Sequence, residues 1–115
     1  MKYLLLIHGN EAAMLAASKQ ETSRMVAAYA AYTEAMAKAG ALLASQRLRP
    51  TTSASSVRVR DGKTEVLDGP YAESKEQLGG YYMIDVADLD AALSWAARCP
   101  GASHGTMEVR PIWTM

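Results

Sequence analysis

Residues 2–8, Lys-Tyr-Leu-Leu-Leu-Ile-His, are apolar at odd and even positions alike. A strand without a polar face is covered on both sides, so this run reads as a central strand. It stops at His8-Gly9-Asn10, where glycine and asparagine signal a turn. An alanine- and methionine-rich connector over 11–17, with room for a short helical turn, leads to Ser18-Lys19-Gln20-Glu21. That tetrapeptide matches the capping box, in which Ser18 and Glu21 trade hydrogen bonds to free amides. The helix it opens is expected to reach Ala39, with Gly40 as its left-handed stop. Met25, Tyr29, Tyr32 and Met36 recur at helical spacing and form one stripe, read as core packing. Their tyrosine hydroxyls lining a cavity is the alternative.

Residues 41–48 form a second strand, parallel or antiparallel to the first according to where the helix returns it. A polar loop from Pro50 follows. Val57-Arg58-Val59-Arg60, Asp61-Gly62 and Lys63-Thr64-Glu65-Val66-Leu67 then spell a hairpin, because Asp-Gly is a favoured two-residue turn. Its register sets Arg58 opposite Glu65 and Val57 opposite Val66, giving one charged and one apolar face. Tyr81 to Val86 is a further strand. Asp88 caps a helix from Leu89 to about Arg98, with Leu89, Ala92, Leu93 and Ala96 turned inward. Pro100-Gly101 ends it. The last strand, Thr106 to Arg110, alternates Met107 and Val109 with Glu108 and Arg110, and Pro111 is expected to loosen the pairing beyond it.

The order is strand, helix, strand, hairpin, strand, helix, strand. Without the hairpin this is βαββαβ, the ferredoxin-like α+β plan with an antiparallel sheet. Two helices cover one face of such a sheet, and the doubly apolar first strand asks for cover on the other. A second copy of the chain supplies it most simply, so a homodimer with face-to-face sheets is expected.

The totals narrow the picture. A chain of 115 residues is one domain, 1–115, with enough length for a real core. Twelve basic and twelve acidic side chains cancel, and no basic stripe points to nucleic acid. The apolar run from Tyr3 to Ile7 is too short for a membrane span or a signal peptide. The lone Cys99 makes no internal disulfide, which fits a reducing cytoplasm. It reads as a small buried hydrophobe at a helix end.

One stretch stands out chemically: Asp68-Gly69-Pro70-Tyr71-Ala72-Glu73-Ser74-Lys75-Glu76-Gln77-Leu78-Gly79-Gly80. It opens on a rigid turn, alternates charges and enters a strand through two glycines, which suit a bulge or a close backbone approach. Connections between strands are usually shorter. The same residues resemble the signature of DGPF-domain proteins in the YCII-related family. The segments Met1 to Ile7, Ile84 to Ala97 and His104 to Pro111 are similar to that family as well. The resemblance implies a dimeric α+β barrel, a fold like that of small monooxygenases and lactone isomerases. Some members of the family that the chain resembles are encoded beside extracytoplasmic-function sigma factors. Tyr71 stands where the family name implies phenylalanine. A His–Asp pair proposed for such proteins places its histidine on the first helix, and here no histidine lies between His8 and His104.

Histidine titrates near neutral pH, so the chain's two are the first candidates for proton transfer. His104 precedes the last strand and Asp68 follows the hairpin. Together they make a candidate catalytic pair, a carboxylate orienting an imidazole. Alternatively Asp68 caps its own Asp-Gly-Pro turn. His8, at the end of an interior strand, and Tyr71 are candidate ligand contacts. Lys75 and Arg110 suit a carboxylate or phosphate, or else pair with Glu73, Glu76 or Glu108. No metal-ligand spacing is present and no cofactor is implied. Two functions remain open, beside a purely structural dimer with no pocket chemistry. One is a small-molecule enzyme or binder doing acid–base chemistry, isomerisation or cofactor-free oxygenation, with an enclosed cavity. The other is an accessory partner of another protein, such as a sigma factor, with an exposed 68–80 loop and an exposed apolar patch.

Overall fold

The computed structural model describes residues 1–114. Four strands form one antiparallel sheet: β1 (Lys2–Gly9), β2 (Leu42–Arg47), β5 (Gln77–Asp85) and β6 (Thr106–Pro111), in the order β2-β5-β1-β6. β1 and β2 both run antiparallel to β5, which lies between them, so they are parallel to one another. This is the ferredoxin-like α+β arrangement expected from the element order. Between β2 and β5 in sequence, β3 (Ser55–Arg60) and β4 (Lys63–Asp68) pair as a separate two-stranded hairpin in the expected register, Val57 opposite Val66 and Arg58 opposite Glu65.

Three helices complete the chain: α1 (Glu11–Leu15), α2 (Lys19–Lys38) and α3 (Leu89–Arg98). Each starts at a side chain that accepts an otherwise unpaired amide: Asn10 for Ala13, Ser18 for Glu21 and Asp88 for Ala91. Only half of the expected capping box forms, since the Glu21 carboxylate makes no return bond among the described residues. Gly40 ends α2 at a φ of 73°. None of the helices among the described residues is long and apolar enough to cross a membrane.

The core lies between α2, α3 and one face of the sheet. Tyr3, Leu5, Tyr82 and Ile84 of the sheet meet Tyr32 and Met36 of α2, then Ala92, Ala96 and Cys99. Tyr29, Tyr32 and Met36 of the α2 stripe therefore belong to the core or pack against it, as their spacing indicates, and buried hydroxyls find partners there. Tyr32 Oη donates to the Trp95 carbonyl at 2.6 Å, and Tyr82 Oη and Thr33 Oγ1 share a hydrogen bond of 2.7 Å. Burial raises the pKa of the Cys99 thiol, so it behaves as the inert hydrophobe its position suggests.

The structure corrects three expectations. On α3, Leu89 and Leu93 are exposed, while Trp95 and Cys99 join Ala92 and Ala96 on the inner side. Both stripes share the two alanines, and the large Trp95 ring, packed edge-on against Tyr32, sets the rotation. Strand β5 begins at Gln77 instead of Tyr81. Gly79 is the extra residue of a bulge there, since Ile7 pairs with Gly80 and His8 with Leu78. At Gly80 a Cβ would sit 2.8 Å from the Gln46 carbonyl oxygen, so its backbone approaches β2 closely. Finally, Pro111 does not end the pairing, because the Ile112 amide still donates to the Lys2 carbonyl.

Candidate functional site

With both long helices on the Tyr3–Leu5 face, alternation turns Leu4, Leu6 and His8 to the opposite, outer face. Cross-strand partners share that face: Arg110 lies opposite Leu4, Glu108 opposite Leu6 and Thr106 opposite His8. His8 and Glu108 are thus diagonal neighbours. The His8 Nε2 to Glu108 Oε1 distance is 3.0 Å, and Arg110 Nη2 donates to the other Glu108 oxygen. These two hydrogen bonds, Arg110's first and then His8's, favour the ionised carboxylate and hold Glu108 below the ordinary carboxylate range.

The pair opens onto a cleft of about 670 Å³ lined by His8, Thr106, Met107 and Glu108 on one side and by Ser74, Lys75 and Glu76 on the other. The second wall is held in place by side chains. Thr106 Oγ1 donates to Glu76 Oε1 at 2.7 Å across the cleft, and Ser74 Oγ donates to the Glu76 carbonyl. Behind the wall, Gln77 donates to the Ser74 carbonyl at 2.6 Å and accepts from the Glu11 amide at 3.0 Å. The Glu11 carboxylate then accepts from the Thr51 amide and hydroxyl, each at 2.6 Å. The turn just after His8 is thereby tied to both the 50–53 and the 74–77 segments. Lys75 has no ion-pair partner among the described residues, which leaves its ammonium available to an anion at the cleft.

The expected site residues fall into separate places. His8 and Lys75 share the cleft, and Arg110 borders it through Glu108. Arg110 is engaged by that carboxylate, the alternative its sequence neighbours had left open. Asp68 ends β4 opposite Ser55, and no hydrogen bond joins it to His104. Nor does its carboxylate cap the Asp-Gly-Pro turn. That turn is pinned instead by the Gly69 amide on the Ala54 carbonyl and by Ser56 Oγ on the Gly69 carbonyl. His104 is exposed after a 3-10 turn, Pro100–Ser103. It nevertheless belongs to the same end of the sheet as His8. A Cβ at Gly105 would run into the His8 carbonyl oxygen, so only glycine lets the loop pass there. Tyr71 projects into solvent at 82% exposure, beside a shallow hollow of about 260 Å³ against Ser56, Val57, Arg58 and Leu67. The cleft is open, not the enclosed cavity expected.

Glu108 and Gln77 are the residues that sequence reasoning missed as site members. Glu108 stood on the polar side of the last strand, but facing His8 required knowing that β6 lies beside β1. Gln77 carried no signal beyond ending the charged stretch.

A ferredoxin-like α+β domain with a histidine–carboxylate pair on the sheet's outer face is the class that fold and geometry define. Within that class the chain belongs to the YCII-related family, whose domain model matches residues 1–115. A relative described as an uncharacterized protein of Rhizobium meliloti (strain 1021) is 43% identical over 114 residues, which cover 97% of this chain and 92% of the relative. Among solved structures, the chain is similar to the 5-chloro-2-hydroxyhydroquinone dehydrochlorinase of Burkholderia phenoliruptrix AC1100 in complex with 2,5-dihydroxybenzoquinone. The TM-score is 0.56 at 14% identity, covering 99% of this chain and 94% of that one, and the likeness is one of fold.

Proposed function

We propose that the chain is a small-molecule enzyme or binder that moves a proton at the cleft between residues 74–76 and the ends of β1 and β6. The observation that supports it is the 3.0 Å His8–Glu108 contact at the cleft's floor. Glu108, kept ionised by Arg110, orients the imidazole, leaving the other ring nitrogen to exchange a proton with a ligand. Lys75 supplies a cation for a carboxylate, phosphate or phenolate on that ligand. Isomerisation and cofactor-free oxygenation both begin with such a proton transfer. Dehydrochlorination, the activity named for the structural neighbour, also removes a proton, although a likeness of 14% identity carries the fold and not that activity. The uncovered outer face of the sheet makes a homodimer part of this reading, and the reducing cytoplasm expected from the lone Cys99 remains its setting.

A thermal-shift screen of small carboxylates, phosphates and hydroxylated aromatics on wild type, His8→Ala and His104→Ala tests the site. A ligand at about 100 times its Kd adds about 2.7 kcal/mol, roughly 10 °C for a domain of this size. A shift kept in His104→Ala and lost in His8→Ala supports the cleft. Loss only in His104→Ala moves the site to the residue favoured by sequence alone. The absence of any shift sinks the small-molecule reading.

A second reading draws on the exposure of Tyr71 and its loop: a protein partner, such as a sigma factor, held by residues 68–76. Its measurement is binding of a purified candidate partner to wild type and to Tyr71→Ala, and equal affinity for the two removes that reading.

A further inference from the structure

In the two strands of the β3–β4 hairpin only Ser56 is even part-buried. Val57, Val59 and Val66 remain 63%, 57% and 62% exposed. Val57 lies directly opposite Val66 and Val59 is two residues along, so the three share one face. Two strands without a third strand or a covering layer are marginal in water. Yet the hairpin is strongly encoded: Asp61 and Gly62 take φ values of 53° and 74°, the backbone of a type I′ turn. The molecule is drawn out accordingly. Its radius of gyration is 16.1 Å, where a compact domain of this length has about 13–14 Å.

We propose that this hairpin is an arm whose valine face docks on a second copy of the chain, each copy's arm reaching its partner about a two-fold axis. Three observations favour a second copy as the occupant. The same chain carries another incompletely covered apolar surface, the outer sheet face where Leu4, Leu6 and Met83 are half-buried, and a reciprocal pair removes both kinds from water at once. The area fits as well. The three valines and the part-exposed Leu43, Leu48 and Leu78 offer on the order of 500 Å² of apolar surface, the apolar share of the roughly 800 Å² each partner gives to a standard interface. The formal net charge is zero, so two copies meet without long-range repulsion. The arm goes beyond sheet-to-sheet packing, and it bears on the cleft: β4 continues through Gly69 into the Ser74–Glu76 wall, so a docked arm anchors that wall.

Sedimentation velocity from about 1 to 100 µM on wild type and on Val57→Asp/Val66→Asp, with hydrogen exchange of residues 55–68, tests the arm. The expected result is a wild-type dimer whose hairpin amides exchange faster on dilution. The double variant should associate more than about tenfold more weakly, because two charges replace an apolar contact. Exchange in wild type needs no variant and reads the arm even if the double variant misfolds. The proposal is overturned if wild type is monomeric throughout. It is equally overturned if a dimer forms while its hairpin exchanges as fast as in the dilute protein, the outcome for sheet-to-sheet packing alone. A failed ligand screen leaves these readings untouched, so the two hypotheses fail separately.

Discussion

The chain builds two antiparallel sheets of opposite character. In the four-stranded sheet, Tyr3, Leu5, Tyr82 and Ile84 are almost wholly shielded by α2 and α3. In the β3–β4 hairpin, residues of equal β-propensity stand in solvent. Local preference is therefore enough to shape a strand pair, but not to give it a core. The larger sheet gains its stability from sequence-distant partners, while the hairpin holds its shape by its turn and register.

Core truncation breaks this comparison most sharply. Leu5→Ala should cost about 2–5 kcal/mol, because the deleted methyl groups leave a cavity that packed neighbours fill only in part. Val66→Ala should change the stability of the dilute protein by no more than about 0.5 kcal/mol. Urea unfolding of both variants measures the contrast, and equal losses would mean that the hairpin is covered within one chain. Next in size is Gly105→Ala, whose Cβ would run into the His8 carbonyl. Separating the loop from β1 should cost about 2 kcal/mol or more and disturb the cleft, read by unfolding and by any ligand shift found. A loss below about 0.5 kcal/mol would show that the loop yields freely.

The smallest effect concerns pH and Glu108. Its pKa is lower in the folded protein than in the unfolded chain, so in the interval between the two the unfolded state binds more protons and stability rises with pH. The contribution is present above the unfolded value and is lost as pH falls through the folded one. Glu108→Gln should flatten the stability–pH curve in that acidic window, and an unchanged slope would show that Arg110 and His8 do not hold the carboxylate in solution.

Much of this fold is legible in the chain because it is local. The Asp61-Gly62 turn, the Ser18 and Asp88 caps and the Gly40 stop each involve residues within a few positions of one another, and their chemistry leaves little choice of backbone. The face of α3 is less legible, since a stripe that keeps Ala92 and Ala96 but exchanges Leu89 and Leu93 for Trp95 and Cys99 fits the same sequence until Trp95 meets Tyr32. The site is less legible still. His8 and Lys75 could be singled out by residue type, but His8 and Glu108 are 100 residues apart and become neighbours only when β6 is laid antiparallel beside β1. The expected partnership of Asp68 with His104 rested on both lying near strand ends, which strand order alone can test.

By itself the sequence determined the order of the main elements, the Ser18 and Asp88 caps, the hairpin register and the α+β class, because these follow from neighbours in the chain and from hydrophobic periodicity. Tertiary structure alone decided the sheet order, the bulge opposite His8, the tie from Gln77 to Glu11 and the histidine–glutamate pair at the cleft. Those contacts depend on which strand lies beside which and in what register, and both are set by burial of the whole core, not by any single segment.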